Sequence, residues 1–224
     1  MNYYSEQDIR DIVASVLAQS GTAKGPGGCA DPLPVEISAR HVHLTEDAVE
    51  KLYGTGCRLT RKRDLSQPGE FLSGERVKIV TAKGVIDNVA VLGPVRQRVQ
   101  VELSLTDART LGIQIPVNLS GDLTGAGDVL LVGPAGILEA KGSAIAAKAH
   151  IHMTPADAGR YGVRNGQSVS VRLQTSRPVT LEDVVVRVKD TFRLAVHIDF
   201  DEANATAAGG EITGILAESR CSIE

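Results

Sequence analysis

One phrase occurs four times in this chain and limits what it can fold into. It begins at His41 as "HVHLTEDA", at Glu102 as "ELSLTDAR", at His150 as "HIHMTPADA" and at His197 as "HIDFDEANA". Each copy runs polar, apolar, polar, large apolar, then Thr or Asp. Thr45, Thr106, Thr154 and Asp201 suit a helix N-cap, because their short side-chain oxygens accept from the free N–H groups of a first turn. Pro155 follows Thr154 as a favoured first helical residue. The repeated unit is therefore a strand end running into a short helix, and its recurrence points to an internal duplication.

Between the copies the pattern is strand and turn. "ERVKIVTAKGVIDNVAVLG" alternates apolar and polar residues around a Lys83-Gly84 turn, and "QSVSVRLQTSRPVTLEDVVVRVK" does so again. The chain has 23 glycines, three Phe and no Trp, a balance suited to many short strands and tight turns. No strand alternates with a long helix, so a doubly wound parallel sheet is excluded. The expected fold is mainly β: closed antiparallel barrels capped by short helices.

Ahead of the strands, "YYSEQDIRDIVASVLAQSG" predicts an amphipathic helix over 1–21. Ser5 is its N-cap, Ile9, Ile12, Val13, Val16 and Leu17 form one stripe, and Gly21 stops it. Residues 22–32 read as a flexible linker. A net charge of −3 gives no case for nucleic acid, and no run of about 18 apolar residues offers a membrane span. Cys29, Cys57 and Cys221 are scattered, without a C-x-x-C, and no secretory signal leads the chain; these features predict reduced thiols and a cytoplasmic location.

The chemistry lies in the polar positions of the phrase. Side chains two apart on a strand share a face, so His41 projects with His43 and His150 with His152. Glu102 and His197 open the other two copies, and all five histidines of the chain fall in this set. Imidazole is the commonest ligand for zinc-like ions and carboxylate a usual companion. Six such ligands shared between two ions leave each with an open position, as in a catalytic site. In "GPVRQRVQVEL", Arg96, Arg98, Gln100 and Glu102 share one face by period two, so a guanidinium beside a metal reads as an anion clamp suited to phosphate. A zinc-dependent hydrolase, of thioesterase or amidohydrolase type, fits the same residues, because an open metal position serves water as readily.

"ISARHVHLT", "GPVRQRVQVELS", "HIHMTPADA" and "VHIDFDEANA", in this order, resemble the PduL-type phosphate acyltransferases, or phosphate propanoyltransferases. The resemblance covers residues 33–217. It implies two β-barrels with a non-contiguous first domain: residues 33–45 with 147–224, and residues 46–146 as the second barrel. It implies one zinc ion on His41, His43 and Glu102, and a second on His150, His152 and His197. It implies that Arg96 binds phosphate and that Asn204 contacts coenzyme A. The implied reaction moves a short acyl group, propanoyl first, between coenzyme A and phosphate. The helix over 1–21 resembles a peptide that directs relatives into bacterial microcompartments. That implies shell or cargo partners, self-association into a homo-oligomer, and a pathway such as 1,2-propanediol degradation. The basic run "RKR" at 61–63 is a further place for the nucleotide phosphates of coenzyme A. One departure stands out: Arg40 precedes His41, whereas Ala149 precedes His150.

Overall fold

The computed structural model describes residues 31–217; the helix expected over 1–21, all but the end of the linker, Cys29 and Cys221 lie outside the described residues. Along the chain run β1 (Leu33–Ser38), β2 (His41–His43), α1 (Glu46–Tyr53), β3 (Arg61–Asp64), β4 (Phe71–Val80), β5 (Val85–Gly93) and β6 (Gln100–Glu102). Next come α2 (Leu105–Leu111), β7 (Val117–Asn118), β8 (Gly127–Val132), β9 (Ile137–Ala147), β10 (His150–Met153) and α3 (Pro155–Tyr161). β11 (Ser168–Gln174), β12 (Thr180–Val188), β13 (Ala195–Asp199), α4 (Phe200–Ala205) and β14 (Ile212–Ala217) complete the fold.

Two closed barrels form. The first has the order β1-β13-β10-β12-β11-β14, with β14 pairing back to β1. In the second, β4-β5-β2-β6-β9-β8 closes where β8 pairs with β4. β3 and β7 add to its margins. The barrels are mixed rather than antiparallel throughout: β1 with β13, β10 with β12, β2 with β5 and β6 with β9 are parallel pairs. Each repeated phrase sends its chain away through a short helix, and these excursions let later strands return in the same direction. Strand pairing also moves one expected boundary. Leu33–Ser38 belongs to the first barrel, but His41–His43 pairs with β5 and β6, so the segment 33–45 divides near Ala39.

The apolar residues beside the ligand positions plug the two cores, whereas the large apolar positions of the second and fourth copies, Leu105 and Phe200, are exposed at the starts of α2 and α4. Val42, Leu44, Val101 and Leu103 lie in one core, and Ile151, Met153, Val196 and Ile198 in the other, none more than 2% exposed. Burying a side chain of this size is worth about 1.5–3 kcal/mol. A one-residue slip would exchange the faces of a strand, so this burial strongly opposes it and fixes where the polar positions point.

The duplication is visible in register. His41 stands opposite Glu102 in antiparallel β2/β6, as His150 stands opposite His197 in β10/β13. His41 aligns with Ala90 on parallel β5, and His150 with Val185 on parallel β12. Two residues before each of those partners the backbone turns left-handed, at Asn88 (φ 56°) and Asp183 (φ 56°).

Helix starts differ from expectation in two copies. Thr45 and Thr154 are N-caps, but Ser104 and Asp199 take that place instead of Thr106 and Asp201. The reason is reciprocal capping. Ser104 accepts from the Asp107 N–H while Asp107 accepts from the Ser104 N–H, and Asp199 and Glu202 do the same. A start at Thr106 or Asp201 would put Arg109 or Asn204 at the third helical position, with no carboxylate to reach back. Asp201 instead accepts from the Thr106 N–H at 2.9 Å, which ties α4 to the start of α2.

Candidate active site at the junction of the barrels

The shift in capping determines how many ligands each phrase supplies. In the copies from His41 and His150 both polar residues are on the strand and both are histidines. In the other two, the second polar residue is the helix cap, so only Glu102 and His197 remain to face a histidine pair. Each junction centre therefore has three donors: His41, His43 and Glu102 in one, His150, His152 and His197 in the other, with the donor atoms of each within 4.8 Å of one another. The two centres adjoin. His41, Glu102, His150 and His197 line one small pocket.

Both centres are anchored alike. His41 Nδ1 lies 2.8 Å from the Ala39 carbonyl, and His150 Nδ1 lies 2.8 Å from that of Lys148. A carbonyl only accepts, so it holds the proton on Nδ1 and leaves Nε2 free to ligate. His41 Nε2 is 3.2 Å from His43 Nε2 and 3.5 Å from Glu102 Oε2. In the second centre the rings of His150 and His197 stack at 5.1 Å, and His152 lies 4.7 Å from each. Phe192 stacks on His152 at 4.0 Å and fixes its plane.

Among the described residues, three buried nitrogens have no hydrogen-bond partner: Nδ1 of His43 and both ring nitrogens of His152. Leaving such a group unpaired costs about 1–3 kcal/mol, which a bound cation offsets at a ligating nitrogen. Charge state agrees. Burial pushes His152 down to about 2, with repulsion from His197 and His150 adding to it, and pushes His197 down to about 3. Burial, then His41, lowers His43 well below its usual value, and burial lowers His150. Burial opposes the charge of Glu102, but the facing imidazoles of His41 and His43, the Ser120 hydroxyl and Arg96 hold it at about 2. Imidazoles with one carboxylate are the donor set zinc takes, so the residues fit that ion.

Both centres open onto a cleft of about 1410 Å³. Arg96 reaches it by a different route from the one expected. The chain leaves β5 through a cis Gly93–Pro94 bond, and only Gln100–Glu102 pair as strand. Residues 94–99 are irregular, so strand alternation does not carry Arg98 inward; it is exposed. Arg96 is placed by its own backbone, whose N–H donates to the Leu44 carbonyl at 2.8 Å. Its guanidinium donates to Ser120 Oγ at 3.4 Å and Glu70 Oε1 at 3.3 Å. Ser120 donates onward to Glu102 Oε1 at 2.8 Å, and Gln100 donates to both Glu102 and Ser120.

A second arginine escaped the sequence reading. Arg187 on β12 stands beside His152 in register and lines the same cleft. Burial, then repulsion from Arg96, lowers its pKa, so two cations are held facing one space. Nothing in "DVVVRVK" separates Arg187 from an ordinary solvated strand arginine. Gln67 was also missed. It is buried, donates to the Arg193 carbonyl at 2.9 Å and lies 3.4 Å from His197 Nε2.

The remaining candidates are further out. Asn204 is exposed on α4 and does not line the cleft. Arg61, Lys62 and Arg63 are exposed on β3, and of these Arg63 lines the cleft. The difference between Arg40 and Ala149 has a structural reason. Arg40 makes a two-pronged ion pair with Asp107, at 3.1 and 2.9 Å, whereas Ala149 packs into the core of the first barrel.

Fold and site together define a class: paired β-barrels that share two three-donor, metal-type centres beside an arginine-lined cleft. A family model described as phosphate propanoyltransferase matches residues 34–209. The chain is 49% identical over 214 residues to a phosphate propanoyltransferase of Priestia megaterium, which covers 95% of this chain and 97% of the relative. It is 49% identical over 187 residues to the Leptotrichia buccalis protein of that name (83% and 88% covered), and 42% over 209 residues to the Alkaliphilus metalliredigens protein (93% and 97% covered). The chain belongs to the phosphate propanoyltransferase family.

Proposed function

We propose that this protein is a phosphate acyltransferase that interconverts a short-chain acyl-CoA and phosphate with an acyl phosphate and coenzyme A, propanoyl being the first acyl group to test. The observation that carries this reading is the convergence of Arg96 and Arg187 on the cleft that both three-donor centres share. Two facing guanidiniums call for an anion of high charge density, and phosphate accepts hydrogen bonds from both.

His41, His43 and Glu102 would hold one zinc ion, and His150, His152 and His197 the other. Zinc bound there supplies Lewis acidity toward an oxyanion and accepts a thiolate well. The chain's own residues do the rest. Arg96 orients the phosphate, and Arg187 neutralises it from the first barrel. The Gln100–Ser120–Glu102 hydrogen bonds hold the carboxylate in place. Among the described residues the one cysteine, Cys57, is exposed and does not line the cleft, so none of them offers a thiol to take the acyl group. The reading is therefore direct attack of a phosphate oxygen on the thioester carbonyl. Coenzyme A is a substrate. The segment 1–21 is proposed to dock on microcompartment shell or cargo proteins and to assist homo-oligomer formation. Among the described residues, no helix is long and apolar enough to cross a membrane.

The deciding experiment is coenzyme A release from propanoyl-CoA, with and without phosphate, on protein of measured metal content. Release that requires phosphate and yields acyl phosphate supports the transferase. Release indifferent to phosphate overturns it in favour of a hydrolase.

A further inference from the structure

The anion cleft contains a carboxylate that the reaction above does not use. Glu70 lines the cleft and places Oε1 3.3 Å from the Arg96 guanidinium. It also acts electrostatically on Arg187 across the cleft. Its position is fixed at the backbone: the Glu70 N–H donates to the Gln67 carbonyl, and the Glu70 carbonyl accepts from the Leu65 N–H at 3.0 Å. Gln67 in turn is clamped to Arg193 by two hydrogen bonds, of 2.9 and 3.1 Å. The turn that carries Glu70 is thus locked to the first barrel and cannot withdraw as a unit.

A fixed carboxylate facing an anion pocket repels any oxyanion that presents only bare oxygens. It attracts one that still carries a proton, because a P–OH donates to it. Near neutral pH inorganic phosphate retains at least one proton and sulfate retains none, although the two are alike in size and shape. From this we propose that Glu70 is a specificity residue of the anion site: it accepts the hydrogen bond of the phosphate P–OH, selects protonated tetrahedral oxyanions over sulfate, and turns the unprotonated oxygens toward Arg96 and the acyl carbon. The proposal rests on the acyltransferase reading and adds to it the form in which phosphate binds.

The chemistry of rejection is asymmetric. A site built to pair with a substrate hydroxyl discriminates sharply against an analogue that lacks it, because the site's own polar group is left unpaired. Glu70→Gln keeps the size, removes the charge and adds an N–H donor that welcomes a bare oxygen. The test compares wild type and Glu70→Gln by KM for phosphate and by the inhibition constant of sulfate competing with it. The melting shift given by each anion alone provides a readout that needs no turnover. The expected result is a change of about tenfold in the sulfate-to-phosphate ratio toward sulfate, with sulfate stabilising the variant more than it does wild type. An unchanged ratio in both readouts overturns the assignment while leaving the acyltransferase reading intact. Absence of phosphate-dependent coenzyme A release in wild type overturns that reading and the assignment with it.

Discussion

Arg187 and Arg96 approach the cleft from different barrels, which gives each a separable effect. Replacing Arg187 with Gln removes one cation but no metal donor, since its neighbour His152 is held by Phe192 stacking rather than by the guanidinium. Arg187→Gln is therefore expected to raise KM for phosphate about tenfold to a hundredfold, at unchanged zinc content. Steady-state kinetics beside metal analysis checks this, and loss of zinc in the variant would make Arg187 a structural residue. The histidines were legible because they are rare: all five fall in the repeated phrase. Arginine is common and exposed arginines on alternating strands are ordinary, so Arg187 and Glu70 gain meaning only from what folds around them. Arg96 was found by strand alternation, but a backbone hydrogen bond to Leu44 places it. Arg96 lines the cleft, but the strand geometry expected around it is absent.

Among the elements, the short helices decide which polar residues remain on strands. Ser104 caps α2 and Asp199 caps α4, each two residues earlier than the Thr and Asp positions of the aligned phrases suggest. The signal was present in "SLTD" and "DFDE", where a carboxylate follows three residues behind the cap. Alignment by the most similar-looking Thr hid it. This yields a paired prediction. Ser104→Ala removes the acceptor for the Asp107 N–H and is expected to destabilise the protein by about 1 kcal/mol. Thr106 gives Asp201 a backbone N–H, which alanine also provides, and a side-chain hydrogen bond at an exposed position, so Thr106→Ala is expected to cost about 0.5 kcal/mol. Urea midpoints of the two variants test the assignment, and the reverse order would return the cap to Thr106. Strand and hairpin patterns were legible from period-two alternation. The parallel pairings were not, because direction depends on which strand the chain returns to after each helix.

Across the whole molecule, the buried imidazoles make stability depend on pH. An unfolded chain protonates its histidines near 6.5, whereas the folded chain keeps His152 neutral down to about 2 and His197 down to about 3. Below 6.5 the unfolded state thus binds more protons, and stability falls as pH drops; each such group contributes at most about 1.4 kcal/mol per pH unit. His43 and His150, also lowered, act in the same direction. Glu202 opposes them. Burial raises it to about 7, so its contribution is present below 4.5 and is lost as pH rises through 7; Asp199, also raised by burial, behaves likewise at lower pH. Four imidazoles against two carboxyls leave a net fall on acidification. Metal-free protein is therefore expected to lose roughly 1–3 kcal/mol between about pH 6.5 and pH 5.5, read from urea midpoints in the presence of a chelator. Replacing His152 and His197 together with Asn removes two of the contributors and is expected to make that slope shallower. A wild-type slope that is flat or inverted would mean the imidazoles are solvated rather than packed at the junction. The metal-donor reading would then lose its physical basis, because the burial that keeps these rings neutral is also what makes them competent to ligate.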